Sequence, residues 1–192
     1  MNTIVILFAS ILTSNIALTY FLGMCPFITI SKKLDVAVGM GIAVTFVMTL
    51  TAAANWVIYY KVLIPLGLEY LQFLVFIINI ATIVQILEIF IDRYFQTLYQ
   101  SFGIFLPLIT VNCAILGISL FMVLRSQSFI ESTVYAFGSG IGWLLAIVTM
   151  GALRKKLVFS KPLSDFGEAG ITAIIAGVMA LGFIGFTGVA GL

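Results

Sequence analysis

The chain reads as long apolar blocks separated by short polar punctuation. Six blocks stand out, at roughly Thr3–Ile30, Asp35–Tyr60, Glu69–Ile91, Gln100–Leu124, Glu131–Leu153 and Gly167–Leu192. Each reaches the about 20 residues that a bilayer-crossing helix needs. The pattern predicts an all-α polytopic membrane protein with six transmembrane helices. The blocks nearly fill the sequence, so one transmembrane domain over residues 1–192 is expected, with no soluble domain or long linker. No basic stretch precedes the first apolar run, and no cleavable signal peptide is expected.

Two blocks carry helix breakers. The first is too long for one simple helix and is interrupted at Gly23-Met24-Cys25-Pro26. This predicts a helix to about Leu22, a break, and a shorter apolar piece to Ile30. The fourth holds Gly103, Pro107 and Gly117 around Asn112-Cys113. Proline removes a backbone donor and glycine weakens a helix. Irregular backbone at membrane depth survives only where protein or a cavity covers it. Both breaks are therefore expected to face the interior of an assembly rather than lipid.

Two short matches hint at duplication. Pro26-Phe27-Ile28-Thr29-Ile30 matches Pro107-Leu108-Ile109-Thr110-Val111, and Ala37-Val38-Gly39-Met40-Gly41-Ile42 matches Ala136-Phe137-Gly138-Ser139-Gly140-Ile141. The matches keep their order at different offsets. They suggest two three-span halves, about 1–95 and 96–192. Three is odd, so the halves must be inverted, an arrangement that puts functional sites near the midplane where broken helices meet. The glycine pairs are expected to let helices pack closely. They are not a dinucleotide fingerprint, because no strand precedes them and no third glycine follows.

Composition supports the membrane reading and narrows the chemistry. Hydrophobic residues make up 62%, charged residues 8%, and mean hydropathy is +1.26. A soluble domain averages about 25% charged residues. A net charge of +2 gives no nucleic-acid footprint. Histidine is absent, which removes the usual general base and commonest zinc ligand. A self-contained hydrolase or zinc enzyme is not expected on that ground. The bases give orientation. Lys32 and Lys33 follow the first block, Arg93 the third, and Arg154, Lys155, Lys156 and Lys161 the fifth. Only Lys61 and Arg125 fall on the other side. The positive-inside rule makes the odd loops cytoplasmic and both termini outward. Trp56, Tyr59 and Tyr60 suit the outer interfacial belt.

The candidates for chemistry are few. Cys25 and Cys113 sit beside the two breaks. A lone cysteine in an apolar segment is ordinarily a small buried hydrophobe. As ligands, two thiolates are incomplete for iron–sulfur and for zinc. A metal held here would need further ligands from another chain, at a subunit interface. Glu88, late in the third block, is an intramembrane acid and hence an ion-path candidate. Its neighbours Asp92 and Arg93 allow the plainer reading of a snorkelling or paired acid. Asn15, Asn55, Asn79, Gln85 and Asn112 are expected mostly to bond neighbouring helices. Thr29, Thr110 and Asn112 could offer oxygens to an ion.

The motifs around the cysteines are long. Asn15-Ile16-Ala17-Leu18, then Phe21-Leu22-Gly23-Met24-Cys25-Pro26-Phe27 with Ser31-Lys32-Lys33, resembles the start of a known family. Gly103-Ile104-Phe105-Leu106-Pro107-Leu108-Ile109-Thr110-Val111-Asn112-Cys113-Ala114 resembles its second motif. The family comprises the small membrane subunits of the Rnf and Nqr redox pumps, RnfA and NqrE. The resemblance spans essentially the whole chain. It implies a bacterial or archaeal cytoplasmic membrane, six spans in inverted halves, and pairing with a homologous membrane protein of opposite topology (RnfE or NqrD). It also implies that Cys25 and Cys113 give two ligands to an iron–sulfur cluster of the 2Fe-2S type, shared with that partner. Flavins and nicotinamide would sit only on other subunits. Electron flow would be coupled to Na⁺ or H⁺ transport. Cys25-Pro26-Phe27, Val47-Met48-Thr49-Leu50 and Pro65–Leu71 look like the Rnf protein. Asn15–Leu18, Val111–Ile115 and Gly138–Trp143 look more like the Nqr protein. The Rnf type, between ferredoxin and NAD⁺, is the leading expectation. The Nqr type, from NADH to quinone, is the alternative. A stand-alone secondary transporter and a purely structural membrane subunit are the competing classes. Both predict that the cysteines are dispensable.

Overall fold

The computed structural model describes residues 3–31, 34–94, 109–157 and 167–187. Every regular element among them is helical. Helix α1 (Thr3–Phe8) passes into a π-helical turn at Ala9–Thr13 and stops. The break thus begins well before Leu22, where the sequence pattern places the end of the first helix. The reason is local. The Asn15 side-chain oxygen accepts the N–H of Ala17 at 3.1 Å, offering the backbone an alternative to the helical ladder. The first part of the irregular stretch is covered, with Ile16, Ala17 and Leu18 buried, while Tyr20 and Phe21 are exposed. Such cover is the condition for non-helical backbone at membrane depth. Pro26 does not break a helix. It lies in the first turn of α2 (Met24–Ile30), where its missing N–H forfeits no intrahelical bond.

The second break is shorter. Ile109 and Thr110 are helical, Val111 turns, and Asn112 is extended before α5 (Cys113–Leu124). Gly117 lies inside α5 and does not interrupt it. A side chain there would meet Leu22 Cδ1 at 2.5 Å, so this glycine serves contact with the first break. Gly103 and Pro107 lie outside the described residues, as do Lys32, Lys33 and Lys161.

Helix α3 (Leu34–Ile58) continues through a π-helical turn, Tyr59–Leu63, to Leu66, beyond the expected end at Tyr60. Gly67 ends it with φ of 66°, a left-handed conformation suited to glycine. Then come α4 (Gln72–Tyr94), α6 (Phe129–Leu157) and α7 (Gly167–Thr187). Three stretches among the described residues are long and apolar enough to cross a membrane: Leu34–Leu66, Glu69–Phe90 and Phe129–Lys156. Ile4–Thr13, Cys113–Leu124 and Gly170–Gly185 are shorter apolar helices.

The centre is the pair α3 and α6. A side chain on Gly41 would collide with Leu144, and one on Gly140 would stand 2.8 Å from the Thr45 Cα. The α1 segment packs on the same helix: Gly138 faces Ser10, and Gly142 faces the Ile11 carbonyl. The glycine pairs therefore do set close helix packing. Polar residues tie the other side. Asn55 donates to Ser119 Oγ at 2.7 Å, and Asn79 donates to Asn55 Oδ1 at 2.6 Å, linking α3, α4 and α5. Asn15 donates to the Gly142 carbonyl at 2.8 Å. Gln85 is exposed.

Both ends of α6 are fastened. Ser128 and Glu131 form a capping pair, with the Ser128 N–H donating to the Glu131 carboxylate at 3.0 Å. At the far end Arg154 donates to the Ile28 carbonyl at 3.0 Å and to Ser31 Oγ at 2.7 Å. It caps the C-terminus of α2, a role beyond topology anchoring. Arg154→Lys keeps the positive charge but changes the reach and geometry of the donor, one guanidinium nitrogen that serves both the Ile28 carbonyl and Ser31 Oγ. It should lower stability by about 1–2 kcal/mol without inverting topology. Thermal unfolding together with a reporter of topology checks this.

Candidate functional site

The two helix breaks meet. The Gly23 N–H, just ahead of α2, donates to Cys113 Sγ at 2.9 Å. Gly23 has φ of 79°. A side chain there would stand 2.7 Å from Trp143 Nε1, 3.0 Å from Asn112 Oδ1 and 3.2 Å from Ala114 Cβ. Glycine is thus required twice, by its backbone conformation and by the crowding. Around it converge α2, α5 and α6, each giving one wall.

Local sequence explains how each cysteine is presented. Asn112 Oδ1 accepts the Ala114 N–H at 3.0 Å and caps α5, which makes Cys113 the first helical residue. Cys25 is the second residue of α2. Both cysteines thus lie in first helical turns, where the helix dipole favours negative charge. Both cysteines are free thiols; Cys25 is exposed and Cys113 half-buried. The rim is apolar and open, with Phe21 at 50% and Val111 at 73% exposed.

The donor set has a clear limit. Among the described residues no cluster of three or more Cys, His, Asp or Glu could hold a metal ion. Two thiols with an N–H on one of them, on an open apolar face, fit half of a four-thiolate iron–sulfur set. They do not fit a complete site within this chain.

The other candidates fare differently. Glu88 is half-buried on α4, with exposed Asp92 and Arg93 beyond it. It makes no hydrogen bond or ion pair among the described residues. Asn112 is not a free oxygen donor, because its Oδ1 already caps α5. The Thr29 hydroxyl donates to the Cys25 carbonyl at 3.0 Å. Two neighbours of the centre escape a reading of the sequence. One is Gly23, whose residue type signals only a break. The other is fully buried Trp143, whose Nε1 has no partner among the described residues. The available signal is an indole ending the run Gly138-Ser139-Gly140-Ile141-Gly142, since a buried indole N–H needs a partner.

Comparison with known proteins gives the lineage. Residues 3–190 match the family described as "Rnf-Nqr subunit, membrane protein". The E component of the Na⁺-translocating NADH-quinone reductase of Aeromonas hydrophila is 50% identical over 190 residues, covering 96% of each chain. The protein of the same name from Yersinia enterocolitica is 49% identical over 186 residues, 94% of each. The A component of the ion-translocating oxidoreductase complex of Syntrophotalea carbinolica is 45% identical over 187 residues, 97% of each. With its apolar helices and this whole-length similarity, the chain belongs to the Rnf-Nqr family of membrane subunits.

Proposed function

We propose that this chain is an electron-relay subunit of an ion-translocating oxidoreductase in the cytoplasmic membrane. In this reading Cys25 and Cys113 hold one half of an iron–sulfur centre, and a homologous protein of opposite topology supplies the other half. The observation that carries it is the Gly23 N–H bond to Cys113 Sγ, which joins the two cysteine-bearing breaks. When bound, the cluster supplies a one-electron station between redox groups on other subunits. This chain's residues hold the sulfurs and set their environment. The Gly23 N–H and the N-terminus of α5 both favour added negative charge at Cys113.

Helix lengths support a centre near mid-membrane. At 1.5 Å per residue, α2 and α5 are about 10 Å and 18 Å long. Together they approach the ~30 Å hydrocarbon thickness. One leads toward Arg154, the other toward Arg125, the two signs of the charge asymmetry. Inverted halves, about 1–95 and 96–192 within one domain, draw support from the two ordered sequence matches. Six spans with both termini outward complete the proposal.

The leading assignment is an Rnf-type complex. Relatives named for Nqr, such as that of Aeromonas hydrophila, favour the second reading. Electron donors separate them in the purified complex: reduced ferredoxin with NAD⁺ as acceptor for the first, NADH with a quinone for the second. In either, Cys25→Ser or Cys113→Ser should reduce electron transfer through the complex to its background rate. Full activity in both variants would return the cysteines to packing residues and bring forward the transporter or structural readings. Glu88 is the proposed ion-path acid. Glu88→Gln should lower coupled ion uptake more than electron transfer; if both stay normal, Glu88 leaves the path.

A further inference from the structure

Six buried side-chain polar atoms have no hydrogen-bond partner among the described residues: Asn112 Nδ2, Gln127 Oε1, Ser132 Oγ, Tyr135 OH, Ser139 Oγ and Trp143 Nε1. They are not scattered. Ser132, Tyr135, Ser139 and Trp143 follow one another on α6 at intervals of three, four and four, the spacing of a single helix face. Each of these four residues is at most 2% exposed. The Ser139 and Tyr135 hydroxyls lie within reach of each other, a contact that leaves one O–H donor of the pair unused.

Both ends of the stripe lead somewhere. At one end Gln127 and Tyr135 line a cavity of about 200 Å³ with Ser10, Ser14, Arg125 and Glu131, alongside apolar Ile6 and Ala9. This is the end of the molecule bearing Arg125, away from the Arg154–Lys156 cluster. At the other end Trp143 and Asn112 meet at Gly23, which bonds Cys113. From Ser132 to Trp143 is roughly 16 Å along the helix.

A polar atom buried without a partner is unfavourable, and more so in an apolar interior. Unrelated packing defects would fall on several faces of several helices. A continuous row has one common remedy, a molecule small enough to fit and able both to donate and to accept. We propose that this face of α6 holds a file of buried water joining the outer cavity to the cysteine centre. The chemistry changes along it. Gln127, Ser132, Tyr135 and Ser139 offer oxygens, which suit water or a small monovalent cation. The inner end, Trp143 Nε1 and Asn112 Nδ2, only donates. It therefore turns a water oxygen, or a negative charge, toward itself and opposes a bare cation. The file brings outer solvent next to the site where charge is added on reduction. That purpose rests on the electron-relay reading; the existence of the file does not.

The test is thiol access in the whole complex, in sealed vesicles with the outer face toward the medium. The probe is a small cationic methanethiosulfonate, and the readout is the adduct at the introduced thiol, measured by mass spectrometry of this protein. Ser139→Cys should be modified from the medium. Phe137→Cys, two residues away on α6 and 47% exposed, should stay unmodified. Ser132→Cys, next in sequence to the cavity-lining Glu131, gives the same test should the deeper variant not assemble. Absence of an adduct at positions 139 and 132, or modification only from the cytoplasmic side, overturns the file. Iron content, measured on the same samples, reads the cysteine centre separately.

Discussion

Gly140→Ala should destabilise this protein by about 1–3 kcal/mol, and Gly140→Leu should prevent it from assembling at all. The reason is what the new side chain meets. A Cβ at Gly140 would stand 2.8 Å from the Thr45 Cα and 2.8 Å from its Cγ2. The Cα belongs to backbone, so nothing flexible can move aside. Helices α3 and α6 would have to separate, and in lipid no hydrophobic gain between helices offsets the lost contact. Gly177 on α7 is the internal contrast, with no atom of another described element within 4 Å. Gly177→Ala should be neutral or slightly stabilising, because alanine favours the helix. Thermal unfolding of the two variants in one detergent compares them directly. Equal losses would mean that the α3–α6 crossing is not the tight point of the fold.

Gly23→Ala should act on the centre more than on the fold. A non-glycine residue at φ of 79° costs roughly 1–3 kcal/mol. The added methyl also presses on Trp143 Nε1 at 2.7 Å, a buried ring with no room behind it. The least resisted response is for the loop to shift, which withdraws the Gly23 N–H from Cys113 Sγ. The expected result is an assembled complex with a changed potential or yield of its iron–sulfur signal and slower electron transfer. Electron paramagnetic resonance during a redox titration reads this. An unchanged signal with only lower thermal stability would make Gly23 a folding residue alone.

Much of this is legible in the sequence, for physical reasons that differ by residue. The apolar blocks declare membrane helices, because lipid demands long apolar runs. The glycine pairs declare close packing, and Gly41, Gly138 and Gly140 all lie against neighbours. The cysteines stand beside breaks, and the structure brings those breaks together through Gly23 and Cys113. The course of each break is not legible. Pro26 and Gly117 look like breakers. One sits harmlessly in a first helical turn and the other packs inside α5. The course is set by two asparagine side chains: Asn15 bonds the Ala17 N–H within the irregular stretch, and Asn112 caps the restart of helix at α5. Arg154 is legible as a charge but not as a cap, because its partners Ile28 and Ser31 come from far along the chain. The same holds for the polar row on α6. Its spacing is present in the sequence, but only packing shows which faces are left without partners.

The most direct test of the central claim is iron per complex, purified with its neighbouring subunits, for the wild type and the Cys25→Ser, Cys113→Ser double variant. A shared iron–sulfur centre predicts that the variant assembles with its partners but loses the iron of that one centre, together with its spectroscopic signal. Unchanged iron in an assembled complex would contradict the account and leave both cysteines as packing residues.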